Sequence, residues 1–434
     1  LFLLRLSRFL GNPKNIFSHT PSGHRRITLM NTDKEKKQEN FLIHVKSESK
    51  KLKCNLWKYT LLLVSNKRVF IAILGAYFLT IPDVTAKVIG MITLAGSLSG
   101  FLFEIPSGYA SDKLGHKKTI ILSFTLLFFS TLLFILAKNT FLLVLGSVFL
   151  SAGHAFISGT GSAFMHETLR SLGREGDYSK VMGKASAIGF AIPAALAVFI
   201  PFLVGISYKL PFIVSLVIDT VGLISAISLV TPMVSQEETE EIRVTNFRQV
   251  LQEATKLNYF SVALFSGIVG GTLFAIGAFR APYQVFLEIP VIWYGVFFGL
   301  GRGLASMMLY FSGRIKKFLT MLSFFRIQLV LYIVFMAILA ITSDARIIVA
   351  VFIIVNAFFW GLSKIDEGYQ LEVIKSSKFK ATLLSVGKQI EHVATAFFSF
   401  VLGVLIERLS YQYGFLLLGV LFFSALLPVY FYVA

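Results

Sequence analysis

Several ionisable side chains lie inside long apolar stretches of this sequence, where a charge is costly and usually serves a function. Glu391 and His392 lie in the middle of one such stretch, and Arg302 lies between two glycines in another. A carboxylate held away from water can bind and release a proton near neutral pH. We therefore predict a proton-carrying role for Glu391 first, and then for Asp219 and Glu104; for Asp219 the alternative is a structural hydrogen bond.

The patterns of common enzyme and metal sites are missing from the sequence. It has no Gly-x-x-x-x-Gly-Lys-(Ser/Thr) phosphate loop, no Gly-x-Ser-x-Gly nucleophile turn and no His-Glu-x-x-His zinc motif. Seven histidines and the single Cys54 offer no spacing typical of a metal site. We predict that the protein is not an enzyme and that it uses no cofactor or metal.

The composition excludes most classes of soluble protein. Of 434 residues, 55% are hydrophobic and 15% are charged, and the mean hydropathy is +0.74. A net charge of +18 suits a nucleic-acid binder, but 44 phenylalanines do not. A cytosolic enzyme, a disordered chain and a disulfide-rich secreted domain are excluded too. The numbers indicate a multi-span membrane protein with its bases outside the lipid.

Twelve apolar stretches are long enough to cross a bilayer. They are continuously apolar rather than alternating, which predicts helices and not barrel strands. The first is the weakest, because Asn66, Lys67 and Arg68 interrupt it. The predicted spans are 58–82, 86–109, 119–137, 140–165, 182–205, 210–231, 258–282, 291–313, 323–342, 346–365, 382–405 and 412–433.

The distribution of bases predicts the orientation. Most of the 41 lysines and arginines lie in the amino-terminal segment and in every second connection. The positive-inside rule then places both termini in the cytoplasm of a multi-pass protein of the cell inner or plasma membrane. Anionic lipid is the expected surface partner of these bases. The alternate connections contain few bases: Lys87, Lys138, Lys209, Arg346 and Arg408.

The chain divides into four predicted segments. Residues 1–57 form a basic cytoplasmic segment, and 232–257 form a charged cytoplasmic linker between two six-helix bundles at 58–231 and 258–434. The first methionine is Met30, so residues 1–30 are either a targeting or surface segment or lie ahead of the native start.

An internal repeat supports the two halves. Similar short segments recur in the same order at nearly one period, which indicates parallel repeats. The matches are His154–Gly159 with Asn356–Gly361, Gly183–Lys184 with Gly387–Lys388, and Ser107–Gly108 with Ser312–Gly313.

A polar motif, Pro106–Lys118, connects the second and third spans. Glycines at its start permit close helix approach and, further on, a turn with positive φ. The carboxylate can pair with a base or a helix amino end, and the bases favour the cytoplasmic side. The residues that carry these properties are Gly108, Asp112, Lys113, Gly115, Lys117 and Lys118.

This motif resembles the signature loop of the major facilitator superfamily, with His116 at the position of the usual arginine. The preceding Glu104–Gly108 is similar to the Glu-Ile-Pro-Ser-Gly form of many bacterial members. The resemblance implies two six-helix bundles that rock about a central site. It also implies that the loop latches the bundles on the cytoplasmic side, with Glu104 as part of the latch.

The resemblance further implies candidates for the substrate cavity. Spans four, eight, ten and eleven border that cavity in the family, which implicates His154, Arg302, Asn356 and Glu391. Arg302 and Glu391 could form a buried pair, acting as a clamp or as a switch. For His154 and Asn356 the alternative is a hydrogen bond between helices.

Three functions are consistent with the sequence. The first is a proton-coupled secondary transporter that exports a small amphipathic compound, the second is nutrient or metabolite uptake, and the third is a membrane sensor or assembly factor without transport. Two features of the family are missing: the span-four arginine that is often linked to proton coupling, and the span-five Gly-Pro-x-x-Gly-Gly pattern that is associated with antiporters. A small-molecule substrate is expected, nucleic acid is not, and a monomer suffices for this fold.

Overall fold

A computed structural model of the chain describes residues 50–232, 247–374 and 380–433. Residues 1–53 form a unit of their own, of which the structure describes 50–53 as helical. In the described part of the unit from Cys54 onward, the regular elements are helices joined by short connections. Its α-helices are α1 (residues 54–65), α2 (Leu74–Phe78), α3 (Ala86–Leu114), α4 (His116–Leu136), α5 (Thr140–Ser171), α6 (Tyr178–Phe199), α7 (Leu210–Ile227), α8 (Phe247–Lys256), α9 (Tyr259–Phe286), α10 (Ile292–Phe318), α11 (Met321–Ile341), α12 (Ala345–Gly361), α13 (Ser363–Val373), α14 (Lys380–Arg408) and α15 (Tyr411–Val433).

The predicted all-helical membrane fold is confirmed. Within the described residues, 11 helices are long and apolar enough to cross a membrane. They coincide with the second to twelfth predicted spans, and α12 with α13 together form the tenth. Part of the predicted linker, residues 233–246, lies outside the described residues, as do residues 1–49.

The first predicted span is interrupted where its polar residues lie. The helix of residues 54–65 ends, and the chain continues through a 3-10 turn at Val69–Ala72 before α2 begins. The three intervening residues make contacts with other elements: Asn66 through its carbonyl oxygen with α5, Lys67 with aromatic rings, and Arg68 with a carboxylate on α7. Irregular backbone at membrane depth is tolerated where protein or a cavity surrounds it.

Side chains in the connections fix the helix ends. Thr85, Asn139 and Thr320 each accept a hydrogen bond from a backbone N–H in the first turn of the helix that follows.

Asp83 and Glu288 both have positive φ, at 63° and 55°. They lie about 205 residues apart, after the first and seventh spans, as the parallel repeat predicts.

The two halves contact each other through a few helix pairs. Helix α3 packs along α14, α6 packs along α10, and α2 contacts α9. We call the end of the molecule where α3 meets α4 the motif end, and the opposite end the far end. At the far end, small residues bring the halves into backbone contact: a Cβ built on Gly90 would lie 2.6 Å from the carbonyl oxygen of Ser399, and one on Gly403 would lie 2.6 Å from that of Ala86.

Candidate functional site

A cavity of about 1440 Å³ lies between the two halves. Helices α1 and α6 supply one wall, and α9 to α14 supply the other. Its lining extends from Val198 and Gly299, toward the far end, to Gly183, Tyr310 and Gly387, near the motif end. The wall formed by α6 is built largely from small residues: Gly183, Ser186, Ala187, Gly189, Ala191, Ala194 and Ala195.

The far end of this cavity is closed by close packing. A Cβ on Gly295 would lie 2.2 Å from the carbonyl oxygen of Ala197, and one on Gly75 would lie 2.5 Å from Cδ of Pro282. Toward the motif end the lining is exposed, since Tyr310 lines the cavity and is 84% exposed. No other part of the described chain lies within 4 Å of the Cβ position at Gly108 or at its repeat equivalent Gly313.

Two cations lie deep in the cavity beside one indole ring. Arg302 Cζ is 4.1 Å from the centre of the Trp360 ring, and Lys67 Nζ is 5.6 Å from it. Arg302 Cζ is also 4.9 Å from the Phe298 ring, and Lys67 Nζ is 4.7 Å from the Phe190 ring. The ring faces attract the positive charges. Nη1 of Arg302 is buried and has no hydrogen-bond partner among the described residues.

A group of acidic residues surrounds Lys388 nearer the motif end. Lys388 Nζ donates to Glu391 Oε2 at 2.5 Å, and Asp366 and Glu104 are its other acidic neighbours. Asp366 accepts hydrogen bonds from Ser266 at 2.7 Å and from Gln370 at 2.8 Å. Three carboxyl groups around one ammonium make a site that an additional proton can enter.

Among the predicted cavity residues, Arg302 and Glu391 line the cavity, and Glu391 is paired with Lys388 rather than with Arg302. His154 and Asn356 lie behind the wall. His154 Nε2 is 3.4 Å from the carbonyl oxygen of Asn66. The side-chain Nδ2 of Asn356 packs against Gly301, where an added Cβ would lie 2.7 Å from it.

The other two predicted proton carriers lie in different surroundings. Asp219 is paired with Arg68 and accepts a hydrogen bond from Thr131 at 2.6 Å. Glu104 lies on α3 near the charges of Lys388 and Glu391 on α14. The structure thus groups Glu104 with Glu391 and separates Asp219 from both.

The motif residues lie together where α3 meets α4. Gly115 ends α3 with φ 89°, a conformation that glycine adopts without strain. His116 bridges two helices, since its Nδ1 is 2.6 Å from Ser111 Oγ and its Nε2 is 2.9 Å from Glu167 Oε1. Lys113 and Lys118 are exposed and Lys117 is half-buried, whereas the side chain of Asp112 lies outside the described part of the chain.

Sequence reasoning missed four residues of this cavity: Lys67, Trp360, Asp366 and Lys388. The sequence does give a signal for Lys67, because a charged base within an apolar span is costly and usually serves a function. Lys388 lies one helical turn before Glu391, a spacing that pairs side chains on a helix. Trp360 lies in an apolar run and gives no such signal.

Comparison with known proteins agrees with this geometry. The sequence profile of the Major Facilitator Superfamily matches residues 59–365. The chain belongs to the Major Facilitator Superfamily. It is therefore an integral, multi-pass membrane protein of a family of transporters, which are generally not enzymes. A search of curated proteins gives no match.

Solved structures of superfamily members share the fold. A point mutant of the nucleoside transporter NupG superposes with a TM-score of 0.71 at 14% identity, over 88% of this chain and 98% of that one. A bacterial homolog of the human lysosomal transporter Spinster, inward-facing and unoccupied, gives 0.66 at 14%, over 89% and 96%. A D-xylose–proton symporter gives 0.60 at 11%, over 88% and 96%.

Proposed function

We propose that this protein is a secondary active transporter that moves a small organic molecule by alternating access and couples the movement to protons. The cavity between the halves is the observation that carries the proposal. It is closed by backbone contact at the far end and extends to an open motif end, as one state of an alternating-access cycle requires. Proteins with similar structures include a nucleoside transporter, a D-xylose–proton symporter and a POT family transporter in complex with a thioalcohol-conjugated peptide, whose solutes are of this size class.

The groups around Lys388 support proton coupling. Glu391 lines the cavity, so a proton on it can be exchanged when the cavity opens to either side. Glu104 on α3 faces the same group from the other half. A change of protonation there alters the attraction between α3 and α14, one of the helix pairs through which the halves contact each other. Domains 58–231 and 258–434, with 232–257 as the cytoplasmic linker, are the moving parts in this proposal.

We propose that the direction of transport is efflux across the plasma membrane, because Glu104–Gly108 resembles the bacterial subgroup. We also propose that Gly108–Lys118 forms the cytoplasmic gate. One copy contains the whole cavity, so the functional unit is a monomer. Reconstitution under imposed pH gradients of either sign separates efflux from uptake, because a proton antiporter accumulates substrate on the acidic side and a proton symporter accumulates it on the alkaline side.

The test of coupling uses the full chain in liposomes that contain a pH-sensitive dye. A panel of nucleosides, dipeptides, pentoses and organic carboxylates is added in turn, and the dye reports solute-dependent proton movement. We expect Glu391→Gln to abolish the proton signal, because the amide cannot exchange a proton.

The matched control is Glu372→Gln. Glu372 pairs with Lys316 and has 61% of its side chain exposed, and it does not line the cavity. It should retain the signal. An unchanged signal in Glu391→Gln would reject proton coupling through this residue. Absence of flux for the whole panel would favour a membrane sensor or assembly factor instead.

A further inference from the structure

We propose that the transported solute is a small organic anion with an apolar body, and that Lys67 and Arg302 bind its carboxylate or phosphate beside Trp360. This inference rests on the proposed transport function and specifies its substrate class. The observation that carries it is an excess of positive charge at one place in the cavity, where two cations lack acidic partners.

The charge balance of the cavity is uneven. Within the described residues, no carboxylate lies within 4.0 Å of Lys67 or Arg302, and Arg302 is the charged neighbour of Lys67. Three other cations in and beside the cavity are neutralised by a carboxylate, in the pairs Lys364–Glu367, Lys388–Glu391 and Arg68–Asp219. Arg280, which lies over the Phe298 ring with Arg302, has no carboxylate partner among the described residues and donates instead to the carbonyl oxygens of Ile71 and Ala72. Two adjacent, uncompensated cations in a region of low dielectric attract an anion strongly.

The two cations are neighbours at one ring, and the charge of Arg302 acts on Lys67. Both lie beside the Trp360 ring, so their separation is no greater than the sum of their distances from its centre. They come from different halves of the molecule, Lys67 from the break after α1 and Arg302 from α10. A bound anion therefore ties the halves together, which a transported substrate must do before the cavity can close around it.

The aromatic rings leave the hydrogen-bonding capacity of Arg302 unused. Rings attract the face of a guanidinium, whereas its N–H groups donate in its plane. Nη1 of Arg302 is buried without a partner among the described residues. Planar pairs of oxygen atoms, as in carboxylate or phosphate, match this fork of donors.

The part of the cavity next to the cations fits an apolar body rather than a highly hydroxylated one. Next to the cations, the lining consists of alanines on α6 and of apolar and aromatic side chains on the opposite wall. The latter include Leu273, Phe274, Phe358 and Phe359. An aromatic or aliphatic acid places its charge at the cations and its body against these surfaces.

The experiment uses Trp360 as the reporter of binding. Trp57→Phe and Trp293→Phe together leave Trp360 as the only tryptophan, since the chain has 3. The purified full chain is titrated with benzoate, phenyl phosphate, uncharged benzamide and cationic benzylamine while tryptophan fluorescence is recorded. We expect saturable responses to the anions, and the stronger of the two distinguishes carboxylate from phosphate.

Substitutions then test the cations. Lys67→Met and Arg302→Met should each weaken anion binding about tenfold or more, since each removes a charge-assisted contact. Arg302→Lys, which retains the charge, should lose less. Arg314→Met is the matched control, because Arg314 lies on the same helix, exposed and over the Phe311 ring.

The outcomes separate this inference from the proposed function. Equal responses to all four probes, a preference for benzylamine, no anion response, or unchanged affinity in Arg302→Met would overturn the anion site. Anion binding without flux in liposomes would reject transport and leave the site standing. Proton-coupled flux of neutral or cationic solutes alone would retain the transporter and reject the anion.

Discussion

Lys67 and Arg68 are neighbours in sequence, yet the break in the first span sends them to opposite surroundings. Lys67 lies over aromatic rings in the cavity. Arg68 is buried against Asp219, with 3% and 2% of their side chains exposed. Thr131 donates to the second carboxylate oxygen of Asp219. This arrangement favours a structural role for Asp219, between α1, α4 and α7, over the proton-carrying role expected from the sequence.

Asp219→Asn tests that role. Removing one partner of a buried ion pair leaves the other charge uncompensated, which typically costs about 3–5 kcal/mol. We therefore expect a clear drop in the thermal unfolding temperature of the purified protein, with anion binding by any folded fraction unchanged.

A double variant, Arg68→Met with Asp219→Asn, should recover part of that loss because the lone charge is gone. Equal unfolding temperatures for the single variant and the unmodified protein would argue against the structural pair. A stable Asp219→Asn protein without proton flux would restore the proton-carrying role.

Glycines set how closely the helices of the two halves approach at the far end. Gly295 on α10 lies against the backbone of α6, and Gly75 on α2 lies against Pro282 on α9. No side chain fits between these elements while they are in contact. These contacts therefore close the far end of the cavity.

Gly295→Ala should weaken this closure and shift the population toward states open at the far end. The added methyl group would lie 2.2 Å from the carbonyl oxygen of Ala197, so the helices must separate. The reporter is Val198→Cys, inside the cavity, in a Cys54→Ser background. We expect a membrane-impermeant maleimide added at the far end to react about tenfold faster.

Gly277→Ala on α9 is the control for this prediction, because open space surrounds its Cβ position. It should leave the reaction rate as it is in the reporter protein. The same rate in both glycine variants would show that the contact at Gly295 does not hold the far end closed.

For the whole molecule, the sequence predicts the spans and their order but not the chemistry of the cavity. Apolar length and the repeat locate the helices, since lipid imposes both on every membrane helix. Which face of a helix turns inward depends on packing between distant segments. For that reason Glu391 is foreseeable as a functional residue, whereas its partner Lys388 and the position of Trp360 are not. His154 and Asn356, similar in the repeat, both lie behind the wall.

Orientation in the membrane follows from the basic residues and remains a prediction. Cytoplasmic placement of both ends is expected because the bases are concentrated in alternate connections. A fluorescent protein fused after Ala434 should fluoresce, and alkaline phosphatase at the same site should be inactive. A cysteine introduced at Lys138 should react with an impermeant reagent added outside. The reverse pattern would place the motif end outside the cell rather than in the cytoplasm.

The wall formed by α6 has a consequence for how this protein can change over evolution. Gly183, Ala187, Ala191 and Ala194 leave space in the cavity because their side chains are small or, for the glycine, missing. Each methyl or isopropyl group added there would remove a small, separate portion of space without replacing Arg302 or the carboxylates on the facing wall, or Lys67 in the segment after α1. The size and the charge of the substrate are therefore specified by different residues, and selection can adjust one while leaving the other intact.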